Sequence, residues 1–179
     1  MIPFIKFPKI ARLSRECIIT EKIDGTNASI TITEEGDFLC GSRTRWITIL
    51  DDNYGFAKWA NDNKEDLLKL GKGTHFGEWW GSGCQRGYNL PKGEKRFSLF
   101  NTSRWTQETK PSCCYVVPII YQGLFTTEAC DNAILKLKQK GSIASPGFMN
   151  PEGIVCFHIA AGIGFKKTIL KDEQSKTKK

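Results

Sequence analysis

The sequence predicts an α+β domain in which antiparallel and mixed sheets surround one cleft. Three observations lead there: many short stretches of strand character, only two stretches of helical spacing, and a length of 179 residues with 40% hydrophobic content that suits one core. The strand stretches are residues 17–22, 27–33, 38–41, 74–80, 97–100, 115–120, 153–159 and 164–170, each alternating or rich in β-branched residues. Glu34-Glu35-Gly36-Asp37 reads as one hairpin turn and Ala160-Ala161-Gly162 as another. A first helix is expected from Asp51 or Asp52, whose carboxylates can cap it. It runs through Phe56, Trp59, Ala60, Leu67 and Leu70 to Gly71, with a break near residues 61–63. Thr127 can cap a second helix that carries Ala133, Ile134 and Leu137 and meets Gly141.

No internal repeat, linker or low-complexity segment interrupts residues 1–170, which are expected to form one domain. Residues 171–179 lack apolar side chains and are expected as a basic, solvated tail. A second full-sized domain does not fit the length. Twenty-six Lys and Arg against nineteen Asp and Glu give a net charge of +7, which favours an anionic partner such as nucleic acid or nucleotide. No apolar run approaches membrane-spanning length, and the opening Met1-Ile2-Pro3-Phe4-Ile5-Lys6-Phe7-Pro8 is too short and proline-broken for a signal peptide. A soluble chain of the cytoplasm, without a membrane partner, is therefore expected. Seven cysteines make an odd disulfide framework, so free thiols are expected in that reducing compartment. None of them has zinc-finger or zinc-ribbon spacing, although His75, Cys84 and the Cys113-Cys114 doublet can in principle converge on a metal.

The chemistry-bearing segments run in order along the chain. Glu21-Lys22-Ile23-Asp24-Gly25-Thr26-Asn27 ends an apolar stretch with lysine, spacer, aspartate and glycine. Lys22 there is either a nucleophilic amine or a solvated lysine at a strand end before a tight turn. An amine attacks phosphorus only when deprotonated, and neighbouring cations such as Lys166 and Lys167 would favour that form. Gly41-Ser42-Arg43-Thr44-Arg45 sets two arginines beside hydroxyls, suited to phosphate or to ordinary surface. Phe76-Gly77-Glu78-Trp79-Trp80-Gly81 places one carboxylate in an aromatic strand, where Glu78 either faces solvent or accepts from a sugar hydroxyl or metal-bound water. Gln85-Arg86-Gly87-Tyr88, followed by Lys92, Lys95 and Arg96, mixes basic and aromatic residues as a nucleic-acid surface or a charged loop would. Phe97-Ser98-Leu99-Phe100-Asn101 offers Phe100 to the core or to a purine. Pro151-Glu152-Gly153-Ile154-Val155 repeats the carboxylate-and-strand arrangement, so Glu152 is either a turn residue or a metal-binding carboxylate near phosphate. In Phe165-Lys166-Lys167-Thr168 the two lysines point to opposite faces of a strand, and only one can readily enter a cleft. Lys166 is the choice and Lys167 the reserve.

Together these segments resemble the covalent nucleotidyltransferase superfamily of ATP-dependent DNA and RNA ligases and mRNA capping enzymes. Glu-Lys-Ile-Asp-Gly-Thr-Asn, Ser-Arg-Thr, Phe-Gly-Glu-Trp-Trp-Gly, Ser-Leu-Phe-Asn, Pro-Glu-Gly-Ile-Val and Phe-Lys-Lys-Thr look most like the small RNA ligases related to RNA ligase 2, many of them phage-encoded. The resemblance spans residues 22–168. It implies a nucleotidyltransferase domain with an ATP cleft, and a lysyl-AMP formed at Lys22. It further implies Glu21 and its backbone near adenine, Arg43 near the AMP phosphate, Glu78 on the ribose and Phe100 stacked on the base. Glu152 would serve Mg2+ or Mn2+, and Lys166, with Lys167 as the alternative, the α-phosphate. Where many relatives have Phe-Asp this chain has Phe100-Asn101, and their lysine motif is often spaced Lys-x-Lys. The implied partner is nucleic acid, RNA preferred, with 5′-phosphate and 3′-hydroxyl ends, bound by a monomer without an OB-fold domain. The cytoplasm is then a host's where the chain is phage-encoded. A DNA nick ligase would use the same residues, and a non-catalytic nucleotide- or RNA-binding module would not need the nucleophile.

Overall fold

A computed structural model describes residues 2–174. Residues 175–179, the end of the expected tail, lie outside the described residues. The chain builds two sheets. Strands β1 (Glu16–Lys22), β8 (Ile119–Leu124), β9 (Gly153–His158) and β10 (Ile163–Thr168) form a four-stranded sheet in the order β10-β9-β1-β8, antiparallel throughout. Strands β2 (Thr26–Ile32), β3 (Phe38–Gly41), β4 (Trp46–Ile47), β5 (Gly73–Gly81), β6 (Lys95–Leu99) and β7 (Cys114–Val116) form a six-stranded sheet in the order β4-β3-β2-β5-β6-β7. Only its β6-β7 pair is parallel, so this sheet is mixed. The expectation of antiparallel and mixed sheets in an α+β domain is borne out.

Each sheet buries one face under helix. Alternation in β2 and β5 sends Ala28, Ile30, Ile32 and Trp79 to one side, where they meet Phe56, Ala57 and Ala60 of α1 (Phe56–Asp62) and Leu67 of α2 (Lys64–Leu67). In the other sheet Cys17, Ile19, Ile154 and Cys156 pack against Ala133, Ile134 and Leu137, which recur at helical spacing on α3 (Thr127–Lys140). A smaller cluster of Ile23, Trp80, Tyr88, Val117 and Phe148 joins the two sheets beside the connection from β1 to β2.

Three local expectations shift. The first helix begins at Phe56 because Tyr54 and Gly55 adopt left-handed backbone (φ 53° and 80°), and its break falls at Asn63. Asp52 still caps it, accepting from Ala57 N at 2.8 Å and Lys58 N at 3.0 Å. The cap of α3 is Thr126 rather than Thr127, its hydroxyl accepting from Ala129 N at 3.0 Å. Residues 115–120, expected as one strand, are divided between the sheets. Val117 N donates to Leu99 O at 3.1 Å, whereas Pro118 O accepts from Glu21 N at 2.9 Å, so the chain passes from one sheet to the other at a proline that cannot continue a ladder. Among the described residues no helix is long and apolar enough to cross a membrane.

Candidate active site

The site is built where β1 leaves one sheet and β2 enters the other. Lys22 is the last residue of β1, and Ile23-Asp24-Gly25 crosses to the next sheet against the backbone of β5. Gly25 has to be glycine: a Cβ there would lie 2.7 Å from the Trp80 Cβ and closer still to the Trp79 carbonyl oxygen. That approach lets Gly25 N donate to Glu78 Oε1 at 3.0 Å, while Asn27 Nδ2 donates to Glu78 Oε2 at 3.2 Å. Glu78 is buried, and burial pushes its carboxyl up to about 7 against the opposing pull of Lys22 and the Gly25 amide. Glu152 and Asp24, both acidic, push in the same direction as burial.

Lys22 Nζ is ion-paired with Glu152 Oε2. The amine is about one quarter exposed (23%) and the carboxylate is buried (1%), so the pair sits at the floor of an opening. The neighbour in contact with Lys22 is thus a carboxylate, and not the lysine cations expected from the sequence. Strand register explains the rest of the arrangement. Lys22 faces Gly153 across β1-β9, Gly153 faces Thr168, and Val155 faces Lys166, so Lys22, Val155 and Lys166 share one face. Lys167 faces Ile154 on the opposite side, where its amine pairs with Asp131 of α3 at 2.5 Å.

Glu21 also lies on that opposite side. Its buried carboxylate accepts from the Ser142 hydroxyl at 2.6 Å, Ile143 N at 2.7 Å and Ala144 N at 2.9 Å. Burial raises its pKa, while these three donors favour the charged form. The Glu21 side chain therefore braces the segment after α3, leaving only its main chain toward the cleft. Phe100 continues β6 beyond Ser98, the cross-strand partner of Glu78, and is 41% exposed beside Phe76, whose carbonyl accepts from Phe100 N at 3.0 Å. Arg43 stands exposed in the turn between β3 and β4, outside this hydrogen-bonded cluster; its neighbour Arg45 is held by Asp51 at 2.5 Å.

The residue that sequence reasoning missed is Arg86. Its Nε donates to Asp24 Oδ2 at 2.8 Å, and its Nη1 to the carbonyls of Asn150 (2.8 Å) and Pro151 (3.2 Å). It ties the Lys22 crossing to the segment that carries Glu152. Tyr88 supports the same crossing, its hydroxyl accepting from Asp24 N at 2.8 Å. The two were legible only as a basic and aromatic mixture, which does not distinguish a structural clamp from a binding surface. His75 Nε2 donates to the Gly71 carbonyl at 2.9 Å, all seven cysteines are free thiols, and among the described residues no three His, Cys, Asp or Glu form a metal cage.

The site thus gathers a lysine at the crossing between the sheets, two buried carboxylates and a second lysine two strands away on the same face of the four-stranded sheet. The chain belongs to the RNA ligase family, whose model matches residues 15–171. Among solved structures the fold is shared with Naegleria gruberi RNA ligase. A mutant of that enzyme with ATP and manganese aligns with a TM-score of 0.62 at 18% identity, over 86% of this chain and 48% of that one. An apo mutant aligns at 0.60 and 19%, over 86% and 49%, and a mutant with AMP and manganese at 0.59 and 16%, over 87% and 50%. The chain thus spans about half the length of those solved chains. No match was found among curated protein sequences.

Proposed function

We propose that this chain carries the adenylyl-transfer chemistry of an ATP-dependent RNA ligase. Membership of the RNA ligase family supports the class, and the observation that carries the reading is the pairing of the Lys22 amine with Glu152 at the floor of the cleft. Once deprotonated, Lys22 Nζ attacks the α-phosphorus of ATP; a P–N bond forms, the α-β phosphoanhydride breaks and pyrophosphate leaves. The 5′-phosphate of an RNA end then takes the AMP from Lys22. A 3′-hydroxyl finally attacks that activated phosphate, forming the phosphodiester and releasing AMP.

Within this reading Glu78 orients the ribose through the carboxylate that Gly25 and Asn27 hold, and Phe100 stacks on the adenine. The Glu21 main chain borders the base, Arg43 approaches the phosphates from the β3-β4 turn, and Lys166 neutralises the α-phosphate from the face it shares with Lys22. Glu152 would hold Mg2+ or Mn2+, which would draw the carboxylate away from the Lys22 ammonium and offset charge on the phosphate oxygens. Among the described residues no three such side chains gather into a cage, so Glu152 would share the ion with waters and phosphate oxygens, as Mg2+ commonly is shared. The partner is a nucleic acid with 5′-phosphate and 3′-hydroxyl ends, RNA preferred, met by a monomer in the cytoplasm.

Incubation with α-labelled ATP and magnesium or manganese, followed by denaturing electrophoresis, tests the first transfer. Label should remain on the wild-type polypeptide and be absent from Lys22→Ala. Equal labelling of the variant would overturn the nucleophile. A chase with 5′-phosphorylated RNA should move the label to the RNA, and faster sealing of an all-DNA nick than of one with RNA at the 3′-hydroxyl side would overturn the RNA preference.

A further inference from the structure

The six-stranded sheet has a second face, turned away from α1, and one row of it is aromatic and open. Register places Trp46 opposite Gly41, Gly41 opposite Ser29, and Ser29 opposite Phe76, while Phe100 N bonds the Phe76 carbonyl on the next strand. These five residues form a single row across β4, β3, β2 and β5 and off the end of β6. Its three aromatic side chains are 58% (Trp46), 61% (Phe76) and 41% (Phe100) exposed. Buried cores take up the other large aromatic residues of β5 and β6, so this exposure is not a shortage of places to pack.

Gly41 shapes the row. A Cβ at that position would lie 2.5 Å from Ser29 Oγ and 3.5 Å from Cε3 and Cζ3 of Trp46, so the indole leans over the bare glycine and along the sheet surface. The Ser29 hydroxyl closes position 41 to a Cβ, and the exposed indole of the two-residue strand rests over that position at ordinary van der Waals distance. The next row inward contains Glu78, Ser98 and Tyr115, and both Arg96 (4.9 Å) and Lys110 (5.6 Å) lie over the Tyr115 ring. At the other end the β3-β4 turn bears the exposed Arg43. The platform is therefore apolar and planar along its length and cationic at both ends, within a chain of net charge +7.

We propose that this row, beyond the Phe100 ring taken by adenine, is a stacking platform for unpaired nucleotides of a single-stranded RNA, which runs from Phe76 to Trp46. Three strand spacings of about 4.8 Å each separate Phe76 from Trp46, about 14 Å in all, enough for roughly two splayed bases. Aromatic side chains on an open sheet hold bases through their π-faces without regard to sequence, and flanking cations track the phosphates. A protein partner would meet the same aromatic row but would have no use for the cations at its two ends, which is why the charge selects a polyanion. The proposal rests on the reading of the adjoining cleft as an RNA-joining site.

Trp46 also supplies the probe, because Trp79, Trp80 and Trp105 are buried and Trp59 is partly buried against the core. Titrating the full chain with a short 5′-phosphorylated single-stranded RNA should quench tryptophan emission saturably. Trp46→Phe should lose that quench yet keep its affinity, read by anisotropy of labelled RNA, since a phenyl ring still stacks. Trp46→Ala and Phe76→Ala should each bind about tenfold or more weakly. Thermal melting should be unchanged in all three, because the side chains are exposed. Absence of quench in the wild type, or parental affinity in both alanine variants, overturns the platform. So does concentration-dependent self-association that Trp46→Ala abolishes, which would make the occupant a second copy. The readout is binding and needs no adenylyl transfer: failure here leaves the Lys22 assignment standing, and failure of Lys22 labelling leaves the platform standing.

Discussion

Glu78 shows how a single carboxylate acquires its chemistry from its surroundings. Its folded pKa of about 7 stands above the ordinary 4.5, and burial is the main cause. Between those values the folded protein holds a proton that the unfolded chain has lost, so the contribution of Glu78 to stability is complete below about 4.5 and is lost as pH rises through about 7. The ligand-free wild type should therefore show a melting temperature that falls across this window. Glu78→Gln, which keeps the shape and cannot ionise, should show a flatter profile; identical slopes would refute the assignment. The two adjacent lysines differ just as sharply. Lys166→Ala should slow lysyl-AMP formation about a hundredfold, the usual scale for removing one preorganised charge donor. Lys167→Ala, which loses a half-exposed ion pair with Asp131, should change labelling and stability little. Comparing label incorporation by the two variants decides which lysine serves the phosphate.

At the scale of elements, the Lys22 crossing and the Glu152 segment come from distant parts of the chain, and Arg86 connects them. Hydrogen bonds to charged groups contribute about 1.5–3 kcal/mol each, and Asp24 is largely buried, so Arg86→Ala should lower stability by about 2–4 kcal/mol. Denaturant titration measures that. Since the clamp fixes geometry, lysyl-AMP formation should slow even at temperatures where the variant is fully folded, and Arg86→Ala with Asp24→Asn should cost less than the sum of the single changes. Full additivity would mean that the two side chains act separately. Glu21 plays a comparable part for the segment after α3, where three donors converge on one carboxylate.

For the whole molecule, two sheets with helices on their outer faces leave their inner faces to form one cleft, lined by carboxylates within a net cationic chain. On the proposed reading, nucleotide binding would draw on fixed groups at close range, whereas RNA docking would draw on phosphates over a wider surface. RNA affinity should therefore fall steeply with salt, while self-adenylylation falls much less. Measuring both across one salt series tests this, and parallel decline would place the salt-sensitive element in the nucleotide pocket.

The sequence by itself determined most of the strands, the α+β class and the order of the chemical segments, because alternation, turn residues and the Lys22-Ile23-Asp24-Gly25 spacing are local signals. Its register rule, that neighbouring strand residues face opposite ways, also limited Lys166 and Lys167 to one cleft-facing member. Which of them shares the Lys22 face depended on the pairing of β1 with β9, where Lys22 meets Gly153 more than a hundred positions away in the chain. The division of residues 115–120 between two sheets, the bracing role of the Glu21 carboxylate and the Arg86 clamp were decided by tertiary structure for the same reason. Local periodicity states which way a side chain points from its own strand, and only the folded chain supplies the partner it meets there.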